Sequence, residues 1–259
     1  MKAVITETQN SVLEIIFNKP ENRNAMDMDF FLDFKEALEE AKSPDIRAVL
    51  LRGEGPAFSV GGNIRFFRAR LEEGEGIPES APDELHAMIE LMRTLDKPVL
   101  ACAHGACAGA GLSLVLACDL AIVAESTKFN LAYAGIGLSP DGGSTYFLPR
   151  HVGLKRATEI FMTGRTMNAS EVLDLGLVNR VVPDEDLLSE ARTFAQMLAM
   201  GPTAAFGRIK KLLLKTFDND LKTQLALESK LFSESSFTED FKNGVRAFLA
   251  KEMPQYQGR

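Results

Sequence analysis

Residues 97–123, "KPVLACAHGACAGAGLSLVLACDLAIV", contain the clearest fold signal in this 259-residue chain. They are typical of a buried strand, an Ala-Gly-Ala-Gly turn at 108–111, a buried helix and a second strand. A strand, a covering helix and another strand predict a parallel βαβ unit with a right-handed crossover. The side chains of the turn are no larger than a methyl group, so a ligand could approach the backbone closely there.

The flanking sequence extends this α/β pattern toward both ends of the chain. Upstream, β-branched runs at 11–20 and 46–58 predict strands, and Phe30, Phe31 and Phe34 have helical spacing. Downstream of Ser139 the pattern is mostly helical, with short helices at 153–164 and 168–176 and three or four amphipathic helices between 185 and 251. We therefore expect an α/β core over residues 1–200 and a helical module over residues 201–259.

Composition excludes several broad classes of protein. The net charge of −7 and the pI near 5.2 argue against a general affinity for nucleic acid. The longest apolar run is interrupted by His104 and glycines, so no membrane span is expected, and the N-terminus does not resemble a signal peptide. Cys102, Cys107 and Cys118 fit no zinc motif and predict buried, reduced thiols. We expect a cytoplasmic protein without a metal site.

Three segments could support chemistry. Paired glycines in "GPAFSVGGNI" (55–64) and the turn at 108–111 each precede a predicted helix, where unpaired N–H groups could form an oxyanion hole. The third segment, "LSPDGGSTY" (138–146), places the single carboxylate of Asp141 before two glycines. From the residues alone, Asp141 is either a catalyst or the N-cap of the next helix.

Two other catalytic interpretations fit poorly. The segment around the turn lacks the G-x-G-x-x-G spacing of a dinucleotide site and the Lys-Ser/Thr pair of a phosphate loop. Ser113 and His104 could suggest a hydrolase, but no G-x-S-x-G elbow is present.

Taken together, the segments resemble the enoyl-CoA hydratase/isomerase (crotonase) family, in family order and over essentially the whole chain. The resemblance implies a crotonase-like β-β-α superhelix core followed by a C-terminal helical oligomerisation module, assembled as a homotrimer or homohexamer. The segments that match are "FNKPENRNAM", "AFSVGGNI", "KPVLACAHGACAGAGLSLVLACDLAIV", "FNLAYAGIGLSPDGGSTYFLPRHVG", "MTGRTMNASEVLDLGLVNRVVP" and "FKNGVRAFLAKEMPQYQGR".

The resemblance also implies the substrate and most of its contacts. The substrate would be an acyl-CoA thioester, and no cofactor beyond the coenzyme A of the substrate is expected. The N–H groups of Gly62 and Ala110 would stabilise the thioester enolate. The substrate-binding candidates are Arg23, Ala25, Asn63, Ile64, Ser113 and Tyr133, together with Phe248 and Lys251, which match positions that reach the CoA of an adjacent subunit.

The sequence departs from the hydratases of the family at both catalytic glutamates. Their positions correspond to Ser113 and Tyr133, which are poor proton carriers near neutrality. The Asp141 segment is similar to that of single-aspartate members, the 1,2-epoxyphenylacetyl-CoA isomerase group and the 4-chlorobenzoyl-CoA dehalogenases. The absence of tryptophan counts against a dehalogenase. We therefore expect an isomerase with Asp141 as acid and base; the alternatives are a hydratase with atypical acids and a non-catalytic acyl-CoA-binding homologue.

Overall fold

Residues 2–259, which the computed structural model describes, form two mixed sheets surrounded by helices. The larger sheet has the strand order β1-β2-β3-β5-β7-β10, and the smaller has the order β4-β6-β8-β9. The strands are β1 (Val4–Gln9), β2 (Val12–Phe17), β3 (Ala48–Gly53), β4 (Ala57–Ser59), β5 (Val99–Ala103), β6 (Ala106–Ala108), β7 (Leu120–Ala124), β8 (Lys128–Asn130), β9 (Met167–Asn168) and β10 (Arg180–Val182). The helices are α1 (Met28–Glu40), α2 (Ile64–Glu72), α3 (Ser80–Thr94), α4 (Ala110–Ala117), α5 (Ser144–Thr163), α6 (Ala169–Asp174), α7 (Leu187–Ala199), α8 (Thr203–Lys215), α9 (Leu221–Ser235) and α10 (Glu239–Ala250).

The chain repeats a strand–strand–helix unit. Each of β3, β5 and β7 lies in the larger sheet and leads directly into a strand of the smaller sheet, β4, β6 and β8 respectively. A helix or helical turn follows each pair. The β-β-α superhelix that the resemblance implies is therefore confirmed, and the exits of β4, β6 and β8 bring three loops to the same side of the smaller sheet.

The sequence 97–123 lies at the centre of the molecule and contains the expected strand, helix and strand, with a further short strand before the helix, β6, that the pattern does not predict. It forms β5, β6, α4 and β7, and every residue of α4 is buried. A helix that is apolar on all sides must be enclosed, and α4 packs against α3 and α5. Cys102, Cys107 and Cys118 are free and buried, as predicted.

The outer face of the larger sheet is covered by α7. Leu50, Leu100 and Ile122 on that face share an apolar cluster with Leu187 and Ala191 of α7. A buried group of ion pairs also connects the larger sheet to α7. Glu14 on β2 accepts hydrogen bonds from Arg52 on β3 at 2.8 Å and from Arg192 on α7 at 2.6 Å.

The C-terminal part contains four helices from Leu187 onward, as the sequence predicts. Its final residues are attached to the rest of the chain rather than extended away from it. The buried Asp240 carboxylate accepts hydrogen bonds from the N–H groups of Gln257 and Gly258, and Arg47 donates to the carbonyl of Tyr256 at 2.9 Å. Among residues 2–259, no helix combines the length and apolarity needed to cross a membrane.

The helix after Asp141 differs from the prediction. The hydrophobic pattern predicts a helix over 153–164, and an earlier start was expected only if Asp141 is an N-cap, whereas α5 begins at Ser144 and is interrupted at Gly153 by non-helical backbone angles. Pro149 lies within its first segment. Proline and glycine within one stretch are typical of a helix end, which explains why the earlier segment is hard to recognise.

Candidate active site

The predicted oxyanion donors lie at the ends of two loops of the superhelix. Gly62 follows β4, and Ala110 is the first residue of α4. Within residues 2–259, neither backbone N–H donates a hydrogen bond to another group. The N–H of Ala110 also lies at the positive end of the α4 dipole, so both donors are suited to a developing negative charge.

Small side chains allow these two loops to touch. Gly61 has φ +83°, and a Cβ atom built on it would lie 2.8 Å from the carbonyl oxygen of Ala108 and 2.8 Å from the nitrogen of Ala110. A Cβ on Gly111 would lie 2.5 Å from the carbonyl oxygen of Ser59. A Cβ atom at either position would lie too close to these backbone atoms. Gly61 and Gly111 are therefore required to bring the two oxyanion loops together.

Asp141 occupies the third loop and is not the N-cap of α5. The N-cap is Gly143, and α5 has no side-chain capping bond. Instead the backbone carbonyl of Asp141 accepts hydrogen bonds from the N–H of Ser144 at 3.2 Å and from its hydroxyl at 2.8 Å. The capping alternative is therefore wrong, because the backbone of Asp141 serves the helix start while the carboxylate points elsewhere.

The carboxylate of Asp141 is paired with Tyr133. The Tyr133 hydroxyl donates to Oδ1 of Asp141 at 2.6 Å. Burial, together with the Asp141 charge and this hydrogen bond, raises the pKa of Tyr133 far above its ordinary value. The phenol therefore remains protonated, and Tyr133 acts as a hydrogen-bond donor to the carboxylate rather than as a base.

Ser113 holds the Tyr133–Asp141 pair in place through hydrogen bonds from α4. It is completely buried on α4, with its hydroxyl oxygen 3.1 Å from the Tyr133 hydroxyl and 3.3 Å from the carbonyl oxygens of both Gly109 and Asp141. Ser113 is not among the residues that line the cavity described below. Ser113 and Tyr133, both predicted to bind substrate, thus have different roles. Tyr133 lines the cavity, whereas Ser113 connects Tyr133 and Asp141 to α4, the helix that begins at the oxyanion donor Ala110.

His86 is a site residue that the sequence reasoning missed. Its Nε2 accepts the N–H of Gly142 at 3.2 Å, which fixes the residue after Asp141 to helix α3. Only a neutral imidazole with the proton on Nδ1 can accept this bond. A histidine at an ordinary helical position gives no sequence signal of such a role.

A cavity of about 1500 Å³ joins these groups. Gly62, Ala110, Tyr133 and Asp141 all line it, and apolar side chains form most of the remaining wall. Ala25, Asn63, Ile64 and His86 line it as well, and the apolar wall includes Met26, Phe31, Phe66, Phe67, Leu85, Ile89 and Phe147.

Asp27 is a second carboxylate on the cavity wall, but its environment suits a different role. It caps α1 through Phe30 and pairs with Lys19 at 2.9 Å. Burial would raise the pKa of Asp27, but hydrogen bonds from Lys19 and Phe30 outweigh burial and lower it. An acid kept ionised in this way is a poor proton carrier, so Asp141 is a better candidate than Asp27.

The remaining predicted binding residues are dispersed. Asn63 caps α2 by accepting the N–H of Arg65 at 3.0 Å, and Ile64 follows it on the cavity wall. Arg23 has left-handed backbone angles in the loop before α1, and its side chain does not line the cavity. Phe248 and Lys251 lie at the end of α10, also outside this cavity.

Known proteins resemble this chain over nearly its whole length. Residues 7–259 match the enoyl-CoA hydratase/isomerase family model. The chain is 37% identical to a Rhodobacter capsulatus protein named "Probable enoyl-CoA hydratase" (98% of this chain, 97% of the other) and 32% identical to the 1,2-epoxyphenylacetyl-CoA isomerase of Escherichia coli (100% of both). The crystal structure of an enoyl-CoA hydratase from Polaromonas sp. JS666 superposes with a TM-score of 0.93 at 37% identity, covering 98% of this chain and 99% of that one.

Proposed function

Because the chain belongs to the enoyl-CoA hydratase/isomerase family, we propose that it moves a carbon–carbon double bond along an enoyl-CoA with Asp141 as the proton carrier. The observation that supports this proposal most directly is the Tyr133–Asp141 pair. Oδ1 of Asp141 accepts a hydrogen bond from the Tyr133 hydroxyl at 2.6 Å, and Oδ2 takes no part in this bond. A single positioned carboxylate is sufficient for isomerisation, since no water is consumed.

The proposed reaction has two proton transfers. The Asp141 carboxylate removes a proton from C2 of a 3-enoyl-CoA, and the electrons of the broken C–H bond move onto the thioester oxygen. The N–H groups of Gly62 and Ala110 stabilise the resulting dienolate. The dienolate then takes the proton from the Asp141 carboxyl at C4, which yields the conjugated 2-enoyl-CoA and restores the carboxylate.

The test is to follow thioester conjugation when a 3-enoyl-CoA is added. We expect the conjugated absorbance to rise with the wild type and to stay flat with Asp141→Asn, whose amide oxygen can still accept the Tyr133 hydroxyl. The matched control is Glu79→Gln, an exposed acid at the cavity rim, which should behave as the wild type. Full activity of Asp141→Asn would overturn the assignment of the proton carrier.

Hydration is the second candidate, because the adjacent hydroxyl of Tyr133 and carboxylate of Asp141 offer a donor and an acceptor that could orient a water molecule. A hydratase would remove the conjugated absorbance of a 2-enoyl-CoA. If neither conjugation of a 3-enoyl-CoA nor hydration of a 2-enoyl-CoA occurred with any acyl-CoA tested while CoA thioesters still bound, the non-catalytic alternative would be correct.

We also propose that the C-terminal helices join subunits into a trimer or hexamer in which Phe248 and Lys251 reach the CoA of a neighbour. In support, Phe232, Phe237 and Phe248 are 79%, 78% and 83% exposed, which is costly for aromatic side chains left in water. Lys251→Ala should raise KM for an acyl-CoA but not for the acyl-pantetheine, which lacks the nucleotide. A monomer in sedimentation at micromolar concentration would contradict the assembly.

A further inference from the structure

Arg93, near the end of α3, has hydrogen-bonding capacity that the fold does not use. Its Nη1 donates to the carbonyl oxygen of Ala117 at 3.3 Å and to Oδ1 of Asp119 at 3.0 Å. Its Nε is buried without a hydrogen-bond partner, and Nη2 donates no hydrogen bond within residues 2–259. A buried donor without an acceptor is uncommon in folded proteins, so the unused edge of this guanidinium requires an explanation.

The charges around Arg93 are not balanced by Asp119. The other oxygen of Asp119 lies 2.7 Å from Nζ of Lys210, which is itself buried. Two cations therefore share one carboxylate. Glu90 also lines this end of the cavity but is exposed, and Asp218 lies 3.9 Å from both Lys215 and Arg150.

Arg93 lines the same cavity as the oxyanion donors and Asp141, but at some distance from them. Along α3, Arg93 is seven residues beyond His86, which contacts Gly142 beside Asp141, a rise of about 10 Å. Along α4, Ala117, which Arg93 contacts, is likewise seven residues from Ala110, again about 10 Å. Measured along the axes of both helices, the backbone positions of Arg93 and of its partner Ala117 therefore lie about 10 Å from the residues at the reacting end of the cavity.

The wall between these two ends is apolar. Ile89, between His86 and Arg93 on α3, lines the cavity, Leu85 lines it beside Gly142, and the ring of Phe147 lies 5.7 Å from the guanidinium carbon of Arg93. An apolar channel that ends at an incompletely paired guanidinium suits an acyl chain whose far end is an anion, because a planar carboxylate can accept two N–H bonds from Arg.

We propose that Arg93 binds a carboxylate at the distal end of the acyl group, so that ω-carboxyacyl-CoA thioesters are the preferred substrate class. The proposal rests on the isomerase function above and specifies its substrate. Arg93 would act as a specificity residue and would take no part in the proton transfers at Asp141.

The test compares two eight-carbon thioesters, 3-octenedioyl-CoA and 3-octenoyl-CoA, which differ only in a terminal carboxylate or methyl group. We expect the wild type to favour the dicarboxylic substrate by about tenfold or more in kcat/KM, as a charge-assisted hydrogen bond provides. Equal values, or a preference for the methyl-ended substrate, would overturn the proposal without any variant. Inactivity toward both would instead refute the isomerase function.

Variants then assign the preference to Arg93. Arg93→Met should abolish the preference for the carboxylate, so that the ratio of kcat/KM for the two substrates falls to about one, and Arg93→Lys should retain part of the preference. A full preference in Arg93→Met would exclude Arg93 as the binding group. Arg93→Met could fail to fold because Asp119 loses a partner. In that case, inhibition of the wild type by octanedioyl-CoA and by octanoyl-CoA compares the carboxylate end with the methyl end without any variant. Equal inhibition by the two compounds would contradict the proposal.

Discussion

At the scale of single residues, the hydroxyl of Tyr133 is the group whose contribution can be isolated most cleanly. Tyr133→Phe removes the 2.6 Å bond to Asp141 together with the 3.1 Å hydrogen bond between the Tyr133 and Ser113 hydroxyls. A hydrogen bond to a charged group contributes about 1.5–3 kcal/mol. We therefore expect kcat to fall by about 10- to 100-fold with KM nearly unchanged. Tyr256→Phe, on the C-terminal segment outside the cavity, is the matched control, and an equal loss in both variants would contradict a specific role for Tyr133.

Because of Tyr133, we also expect the free energy of unfolding to decrease at alkaline pH. Burial and the Asp141 carboxylate raise the pKa of Tyr133 in the folded protein, while in the unfolded chain it ionises near pH 10. Above about pH 10 the unfolded state thus loses a proton that the folded state keeps, and stability falls by up to about 1.4 kcal/mol per pH unit from this group. Urea unfolding between pH 9 and 11 should show a steeper loss for wild type than for Tyr133→Phe. Parallel curves would show that Tyr133 does not contribute.

At the scale of elements, the contact between the loop after β4 and the start of α4 depends on Gly61. Gly61→Ala would introduce a Cβ 2.8 Å from the nitrogen of Ala110 at a φ of +83°. We expect a loss of about 1–3 kcal/mol in stability and a fall in kcat of at least about 100-fold, since the oxyanion donors would be forced apart. Gly76→Ala is the control, because a Cβ there meets nothing within 4 Å. Wild-type activity in Gly61→Ala would show that the loops need not touch.

At the scale of the whole molecule, the ion-pair group of Glu14, Arg52 and Arg192 joins α7 to the larger sheet. Burial would raise the pKa of Glu14, but the hydrogen bonds and charges of Arg192 and Arg52 outweigh it and lower the pKa. Stability from this group is present above the ordinary glutamate pKa and is lost as the pH falls through the lower folded value. We expect the free energy of unfolding to decrease below about pH 4.5.

Glu14→Gln tests this at neutral pH. Removing one member of a buried ion pair costs about 3–5 kcal/mol, and the variant should also show a weaker dependence on acid. The exposed Glu36, paired with Lys2, provides the control Glu36→Gln, which should leave stability unaffected. If wild type and Glu14→Gln lost stability identically in acid, Glu14 would not be the cause of the decrease below about pH 4.5.

The alternation of strands and helices and the burial of α4 could be predicted from the sequence, because the central strands and α4 are continuous apolar runs bounded by glycine. The β-β-α superhelix itself is what the resemblance to the family implies. The contacts at Asp141 could not be predicted. Tyr133, Ser113 and Asp141 meet only because Ala132, Gly137, Gly142 and Gly143 take positive φ values, and no local pattern fixes the path of such a loop. His86 and Arg93 enter the site from a helix far upstream, at positions whose spacing is that of any amphipathic helix.

The two halves of Asp141 are held by different neighbours, its carbonyl by Ser113 and Ser144 and its carboxylate by Tyr133. Replacing the carboxylate by the isosteric amide would thus leave the loop in place. Asp141→Asn is therefore suited to crystallography as a substrate trap. Soaked with an unreacted 3-enoyl-CoA, it would display which carbon of the acyl chain faces the side chain before any proton has moved.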